Sequence, residues 1–299
     1  NSINGGYSNI VRNTISILDN CEKNGLCSYK AVAFTGDNFN ENIFNGYDKC
    51  FVLIHPSSFL KGDLYDFFCR RSIPCYLHVF WETQGFPESW SILNDCFDGY
   101  VASSFFLKDM IEESFDKKCF YLPYLIEEEY NPIDRSIKDK EVFTVLYMGQ
   151  ATKRKGFEDA LTSFCIFSTD KEDVSMVMKY HRLSNHEIDP DILAKSIIAS
   201  NSYGQYLPEV FLLEQELSRD DIRHLYGEAD CLIFCSRGEG LGLPIIEANL
   251  TGMPVIYIDF SSSKEIGKIC NNNIAVEHHM DIAHSMSVRI FLYIRICCP

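Results

Sequence analysis

The chain has no apolar run approaching the roughly 18 residues of a membrane span. Its first residues carry neither the charged nor the apolar region of a signal peptide. An initiator Met is also missing, so Asn1 is not expected to be the natural start. Positive charge is scarce: 27 Lys and Arg stand against 42 Asp and Glu, a formal net charge of −15. That balance argues against a nucleic-acid backbone or an anionic membrane as the main partner and leaves room only for local basic patches. The 13 cysteines are odd in number and scattered, and no CxxC occurs. Neither a disulfide framework nor a metal cluster is indicated, and a reduced, cytoplasmic setting is expected. Cys231 and Cys235 fall on one face of an apolar run and read as small core hydrophobes. No short internal repeat and no low-complexity tract interrupts the chain.

What is present is a globular composition, 46% hydrophobic and 23% charged, with 299 residues to fill two ordinary domains. Short apolar, β-branched runs alternate with helix-like segments, the pattern of an α/β protein with parallel strands. Strands are expected at 29–35, 49–55, 75–80, 99–104 and 119–123, with a helix over Tyr7–Glu22. The polar stretch NPIDRSIKDK (131–140) then reads as a linker. The alternation restarts with strands expected at 143–149, 173–180, 209–214, 231–236, 254–259 and 273–277. Ser218 is a candidate N-cap for the helix that follows it. The expected architecture is two Rossmann-like domains with parallel sheets facing a cleft, residues 1–135 and residues 136–299. Only four residues precede Gly5, and the apolar, basic SVRIFLYIRICCP (287–299) shows no cap. A piece cut at both ends, or a disturbed C-terminus, is therefore expected.

The richest stretch is SRGEGLGLPIIEAN (236–249). An apolar run ends at Ser236, glycines at 238, 240 and 242 turn the chain, and a helix is predicted from about Leu243 with Pro244 in its first turn. The unpaired N–H groups of that helix start form an anion site, and glycine lets a ligand approach the backbone. Phosphate alone does not explain Glu239 in the loop or Glu247 about one turn into the helix. An ionised carboxylate accepts two O–H donors, so vicinal hydroxyls suit both acids. A phosphate bridge with a hydroxylated ring on each side meets all of these demands. The ligand so described is a nucleotide sugar.

The spacing E-x7-E, followed by TGMPVI, resembles the signature of the family-four retaining glycosyltransferases of GT-B fold. GQATKRKGFEDAL (149–161) resembles that family's G…KG segment. WETQGFPESW (81–90) with YVASSFFLKDMI resembles a pattern of its N-terminal domain, and LPYLIEEEYNP (122–132) its passage into the second domain. The resemblance spans about Gly5 to Met286. It implies that Glu239 holds hydroxyls of the transferred sugar and Glu247 the ribose diol, with the backbone of Gly240, Leu241, Gly242 and Leu243 facing sugar and phosphates. Lys155 would bind the donor diphosphate and stabilise the leaving group, assisted by Arg154. Gly5 and Gly6 resemble the loop that approaches the donor phosphate from the first domain. Many relatives carry arginine where this chain has Gln150, which leaves Arg154 or Lys153 to supply the second cation. The implied activity is transfer of a hexose-like sugar from a nucleotide diphosphate sugar to a hydroxyl acceptor, carbohydrate, lipid-linked or other, with retained configuration. No cofactor and no metal are required, because Lys155 and the helix start can neutralise the diphosphate.

Other groups have blander readings. His78 is expected to be a satisfied core histidine, with an acceptor-side role as the alternative. Glu82 at a strand end faces either an acceptor or a structural ion-pair partner. Asp189-Pro190-Asp191 is expected to cap a helix, and His278-His279 with Asp281 to be a solvated turn. A GT-B epimerase, a phosphorylase, and a truncated module that binds nucleotide sugar without efficient turnover remain the alternatives.

Overall fold

The computed structural model describes residues 6–32, 41–60, 63–124, 131–133, 141–182, 189–201, 204 and 206–278. The chain divides into two compact units, Asn1–Glu127 and Glu128–Pro299. Most of the polar stretch read as the linker, residues 134–140, lies outside the described set.

The first unit opens with α1 (Gly6–Lys23). The helix stops at Gly25, whose φ of 70° lets the Leu26 N–H reach back to the Cys21 carbonyl at 2.9 Å. A strand was expected at 29–35, but residues 29–32 form none. Tyr29 instead donates its hydroxyl to Asp19 at 2.5 Å and its N–H to Glu22 at 3.3 Å, both acceptors being on α1. Residues 33–35 lie outside the described set. The sheet is built from β1 (Cys50–Val52), β2 (Cys75–His78), β3 (Gly99–Ala102) and β4 (Cys119–Tyr121), all parallel and in sequence order. Helices α2 (Asp63–Cys69), α3 (Leu93–Cys96) and α4 (Phe105–Phe115) supply the covering layers. The Ser104 hydroxyl caps α4 by accepting the Leu107 N–H. Phe59, Phe68 and Phe97 meet at centroid distances of 5.0–5.5 Å, and all three are buried. Each buried ring of this kind stabilises the unit by about 1.5–3 kcal/mol.

The second unit carries β5 (Phe143–Gln150), α5 (Phe157–Phe167), β6 (Val174–His181), α6 (Pro190–Asn201), β7 (Glu209–Leu213), α7 (Arg219–Glu228), β8 (Cys231–Phe234), α8 (Leu243–Leu250), β9 (Val255–Ile258), α9 (Ser261–Ile266) and β10 (Ile274–Val276). Its six strands are parallel in the order β10-β9-β8-β5-β6-β7. Every residue of β8 and β9 is buried, as strands covered on both faces require. Cys231 and Cys235 are buried as expected, and desolvation pushes the Cys231 thiol up to about 12. Ser218 caps α7 through a reciprocal capping box with Asp221. Asp189 opens α6 by accepting the N–H groups of Asp191 at 2.8 Å and Ile192 at 3.3 Å, and the same carboxylate pairs with Arg182. The DxD is thus a cap, as its place before a helix predicts.

Strand order fixes where a ligand can sit. From β5 the sheet grows one way through β6 and β7; from β8 it grows the other way through β9 and β10. Adjacent strands whose connections depart in opposite directions leave a crevice beyond their carboxyl ends. In this unit those strands are β5 and β8.

Candidate active site

The two loops at this switch point are the two segments that the sequence singles out. After β5 the chain runs through Lys153, Arg154 and Lys155 to Gly156, which begins α5 with a φ of 67°. A Cβ at Gly156 would lie 2.2 Å from the Cys235 carbonyl, so only glycine lets the two loops touch. After β8 the chain runs from Cys235 to Gly242, which caps α8 at a φ of 84°, and Pro244 falls in the first turn. The Arg237 N–H donates to the Arg154 carbonyl at 2.8 Å and joins the loops directly.

Glu239 lies at the centre, only 6% exposed. Its Oε1 accepts Lys155 Nζ at 2.5 Å and Ser236 Oγ at 2.6 Å. Arg154 stands 3.8 Å from the same oxygen and donates to the Gly238 carbonyl at 2.9 Å. A carboxylate this deeply buried demands such partners, because an uncompensated charge there costs several kcal/mol. Beside it, Arg237 pairs with Asp159 at 2.7 Å; burial raises the Asp159 carboxyl while the guanidinium draws it back. Glu247 is the fifth residue of α8, half-buried, and its Oε2 accepts the Tyr226 hydroxyl from α7 at 2.8 Å. Tyr226 is fully buried and reaches Met148 Sδ of β5 at 3.3 Å, which ties Glu247 to the switch point.

Thus Arg154, Lys155, Glu239, Gly240, Leu241, Gly242, Leu243 and Glu247 all belong to one unit, on the loops after β5 and β8 and the helix that follows. Lys153 is exposed, and its carbonyl accepts the Gly156 N–H; Arg154 is the second cation beside the carboxylate. Gln150 ends β5, where its carbonyl accepts the Tyr147 hydroxyl at 2.9 Å. Gly5 lies outside the described residues, and Gly6 begins α1 in the first unit. His78 and Glu82 also belong to the first unit, at and beyond the end of β2. His78 is buried with Nε2 2.9 Å from Ser103 Oγ, but its Nδ1 has no partner among the described residues. The expectation of a satisfied histidine therefore holds for one ring nitrogen only, and desolvation brings its pKa down to about 3. Glu82 is half-buried. His278 rests on the Phe260 ring at 4.9 Å, while His279 and Asp281 lie outside the described residues. Among the described residues no group of three His, Cys, Asp or Glu is placed to hold a metal ion, and no helix is long and apolar enough to cross a membrane.

Sequence reasoning missed Tyr226 and the serines of α9. Ser261 Oγ accepts the Glu239 N–H at 3.1 Å, and Ser262 Oγ donates to the Glu239 carbonyl at 2.9 Å. The run Ser261-Ser262-Ser263 directly after an apolar strand was the available signal.

Parts of the chain are similar to known proteins. The family model described as "Glycosyl transferases group 1" matches residues 203–286, less than a third of the chain. The serotype-specific mannosyltransferase WbdA of Escherichia coli is 28% identical over 148 residues, which is 50% of this chain and 17% of that protein. A further match to a protein of that name is 38% identical over 79 residues, 26% of this chain and 10% of the other. The chain therefore spans about a sixth of the length of these curated relatives. Among solved structures, Anabaena HepE in complex with UDP and glucose superimposes with a TM-score of 0.67 at 13% identity, covering 92% of this chain and 83% of that one. A glycosyltransferase from Rickettsia africae gives a TM-score of 0.59 at 17% identity, covering 92% and 74%. At such identities the likeness is one of fold: an α/β chain with two parallel sheets, shared with GT-B glycosyltransferases. The family model, the curated relatives and the Rickettsia africae structure all carry glycosyltransferase names.

Proposed function

We propose that the chain is a family-four retaining glycosyltransferase that moves a hexose-like sugar from a nucleotide diphosphate sugar to a hydroxyl acceptor. One observation carries the reading. A buried glutamate, Glu239, shares a switch-point crevice with Lys155 and Arg154, and a second glutamate, Glu247, follows on the helix that starts there.

The chemistry follows from charge. When the glycosidic bond breaks, the leaving diphosphate gains negative charge, and Lys155, Arg154 and the start of α8 stand where they can stabilise it. Glu239 accepts hydroxyls of the sugar, and Glu247, steadied by Tyr226, accepts the ribose diol. Without ligand, Lys155 neutralises Glu239; with donor bound, its ammonium can serve the carboxylate and a phosphate oxygen together, having three N–H donors. Metal ions and cofactors have no part in this scheme. Retention of configuration rests on the E-x7-E resemblance. A cytoplasmic setting rests on the scattered cysteines, and the acceptor is a hydroxyl of a carbohydrate, a lipid-linked glycan or another molecule.

A panel of uridine, guanosine and adenosine diphosphate sugars is the first test. One class should raise the melting temperature, and Glu247→Ala should abolish that shift; an unchanged shift in the variant counts against the assignment. Release of nucleoside diphosphate should depend on added acceptor. Release without acceptor, or interconversion of the sugar on its nucleotide, would favour the epimerase reading, and binding without any release would favour a module that only binds.

A further inference from the structure

A lone observation starts the argument. Ser261 holds a φ of 54°, in the left-handed region that favours glycine, although it carries a side chain. A strained residue of this kind persists only where its surroundings hold it, and such positions concentrate at functional sites. Its surroundings are informative: Ser261 is 5% exposed and Ser262 fully buried, and both hydroxyls point at one residue on another loop. Ser261 Oγ accepts the Glu239 N–H at 3.1 Å, while Ser262 Oγ donates to the Glu239 carbonyl at 2.9 Å. Both main-chain polar groups of Glu239 are therefore held by side chains from the start of α9, 22 and 23 residues along the chain. A third serine, Ser236, holds the carboxylate itself at 2.6 Å. The loop 238–242 contains three glycines and would otherwise sample many backbone states.

We infer that Ser261 and Ser262 are positioning residues that set the height and direction of the Glu239 carboxylate in the crevice, and so govern the hexose half of the donor without governing its nucleotide half. The inference rests on the functional reading above, in which Glu239 meets the sugar and Glu247 the ribose. The separation of roles follows from connectivity. The serine contacts end on Glu239, whereas Glu247 is fixed from α7 by Tyr226. The left-handed backbone at Ser261 lets successive serines reach the two peptide units that flank the Glu239 Cα. A displacement of about 1 Å at a reacting centre costs roughly a hundredfold in rate, so loosening this clamp should act on kcat.

Ser261→Gly separates positioning from folding, because glycine relieves the φ of 54° while removing the hydroxyl. This variant should melt close to the unaltered protein, because the backbone strain relieved offsets the hydrogen bond lost by the Glu239 N–H. It should bind uridine, guanosine or adenosine diphosphate, whichever the panel selects, with unchanged Kd. Its kcat with the corresponding nucleotide sugar should fall about 10- to 100-fold. Ser262→Ala should show the same split. In a Glu239→Ala background neither serine change should cost further activity, since the group that they hold is gone. Full turnover by Ser261→Gly overturns the inference, as does an equal loss of nucleoside diphosphate binding, or a further loss in the Glu239→Ala background. If the unaltered protein turns over no nucleotide sugar while binding one, the transferase reading itself falls and takes this inference with it. That outcome is distinct from a fully active Ser261→Gly.

Discussion

The Lys155–Glu239 pair allows a quantitative test. Its side chains are 18% and 8% exposed and 2.5 Å apart, so the charges attract across a largely dry medium. Replacing Lys155 with Met keeps the bulk and removes the charge, leaving the Glu239 carboxylate with Ser236 Oγ at 2.6 Å and Arg154 at 3.8 Å. Removing one partner of a buried pair costs about 3–5 kcal/mol, and the remaining hydroxyl and guanidinium reduce that to about 2–3 kcal/mol. For a unit of this size, about 2–4 °C accompanies each kcal/mol, so the second unit should melt about 5–10 °C lower. Glu239→Gln should cost less, about 1–2 kcal/mol, because the freed lysine can extend into water while a neutral amide keeps the Ser236 contact. The double variant should therefore be more stable than the two losses summed, with a coupling of at least about 1.5 kcal/mol in a thermal-melt cycle. If the losses add within about 0.5 kcal/mol, the pair is not holding in solution and the electrostatic account of the site is wrong. Activity provides an independent reading: Lys155→Met should lower kcat by about a hundred- to thousandfold.

Two further predictions concern single positions. Gly156→Ala forces a Cβ to 2.2 Å from the Cys235 carbonyl at a φ of 67°, whereas the same change at Gly25, φ 70°, meets nothing within 4 Å. Thermal melts should show a loss of about 1 kcal/mol at Gly25, from backbone strain alone, and at least about 3 kcal/mol at Gly156; similar losses would refute the contact. His78 should give the first unit an acid-sensitive stability. Its pKa is depressed to about 3 against an ordinary value near 6.5, so the unfolded chain takes the proton first. The stabilisation is complete above pH 6.5 and is lost as pH falls toward 3, about 3 kcal/mol by pH 4.5. Denaturant unfolding at pH 7 and 4.5 should show that difference shrinking in His78→Phe; an unaltered difference would mean that the imidazole is solvated.

Much of this was legible in the chain because local rules carried it. The apolar runs of β5, β6, β8 and β9, the Ser218 cap and the Asp189 cap each follow from a few neighbouring residues. The run at 29–35 satisfied the same rules, yet residues 29–32 form no strand, because Tyr29 found partners on α1 that no periodicity reveals. The acids and glycines of 238–247 announced a site by themselves, whereas Lys155, 84 residues from Glu239, joined it only through the family resemblance. Strand order brought them together, and strand order is a property of the whole sheet. The serines of α9 escaped notice for another reason. A run of three serines marks the place, but its role lies in hydrogen bonds that reach across to another loop. The single orphaned nitrogen of His78 is of the same kind, a matter of which neighbours surround a side chain.

The contact of Gly156 with the Cys235 carbonyl, together with the Arg237 to Arg154 hydrogen bond, has a mechanical consequence. Segments that are remote in the chain behave as a single rigid part, like two fingers soldered at the knuckle. A ligand that nudges the lysine side of that part must carry the glutamate side with it, so neither rim can adapt alone. Selectivity would then come from stiffness rather than from any extra contact.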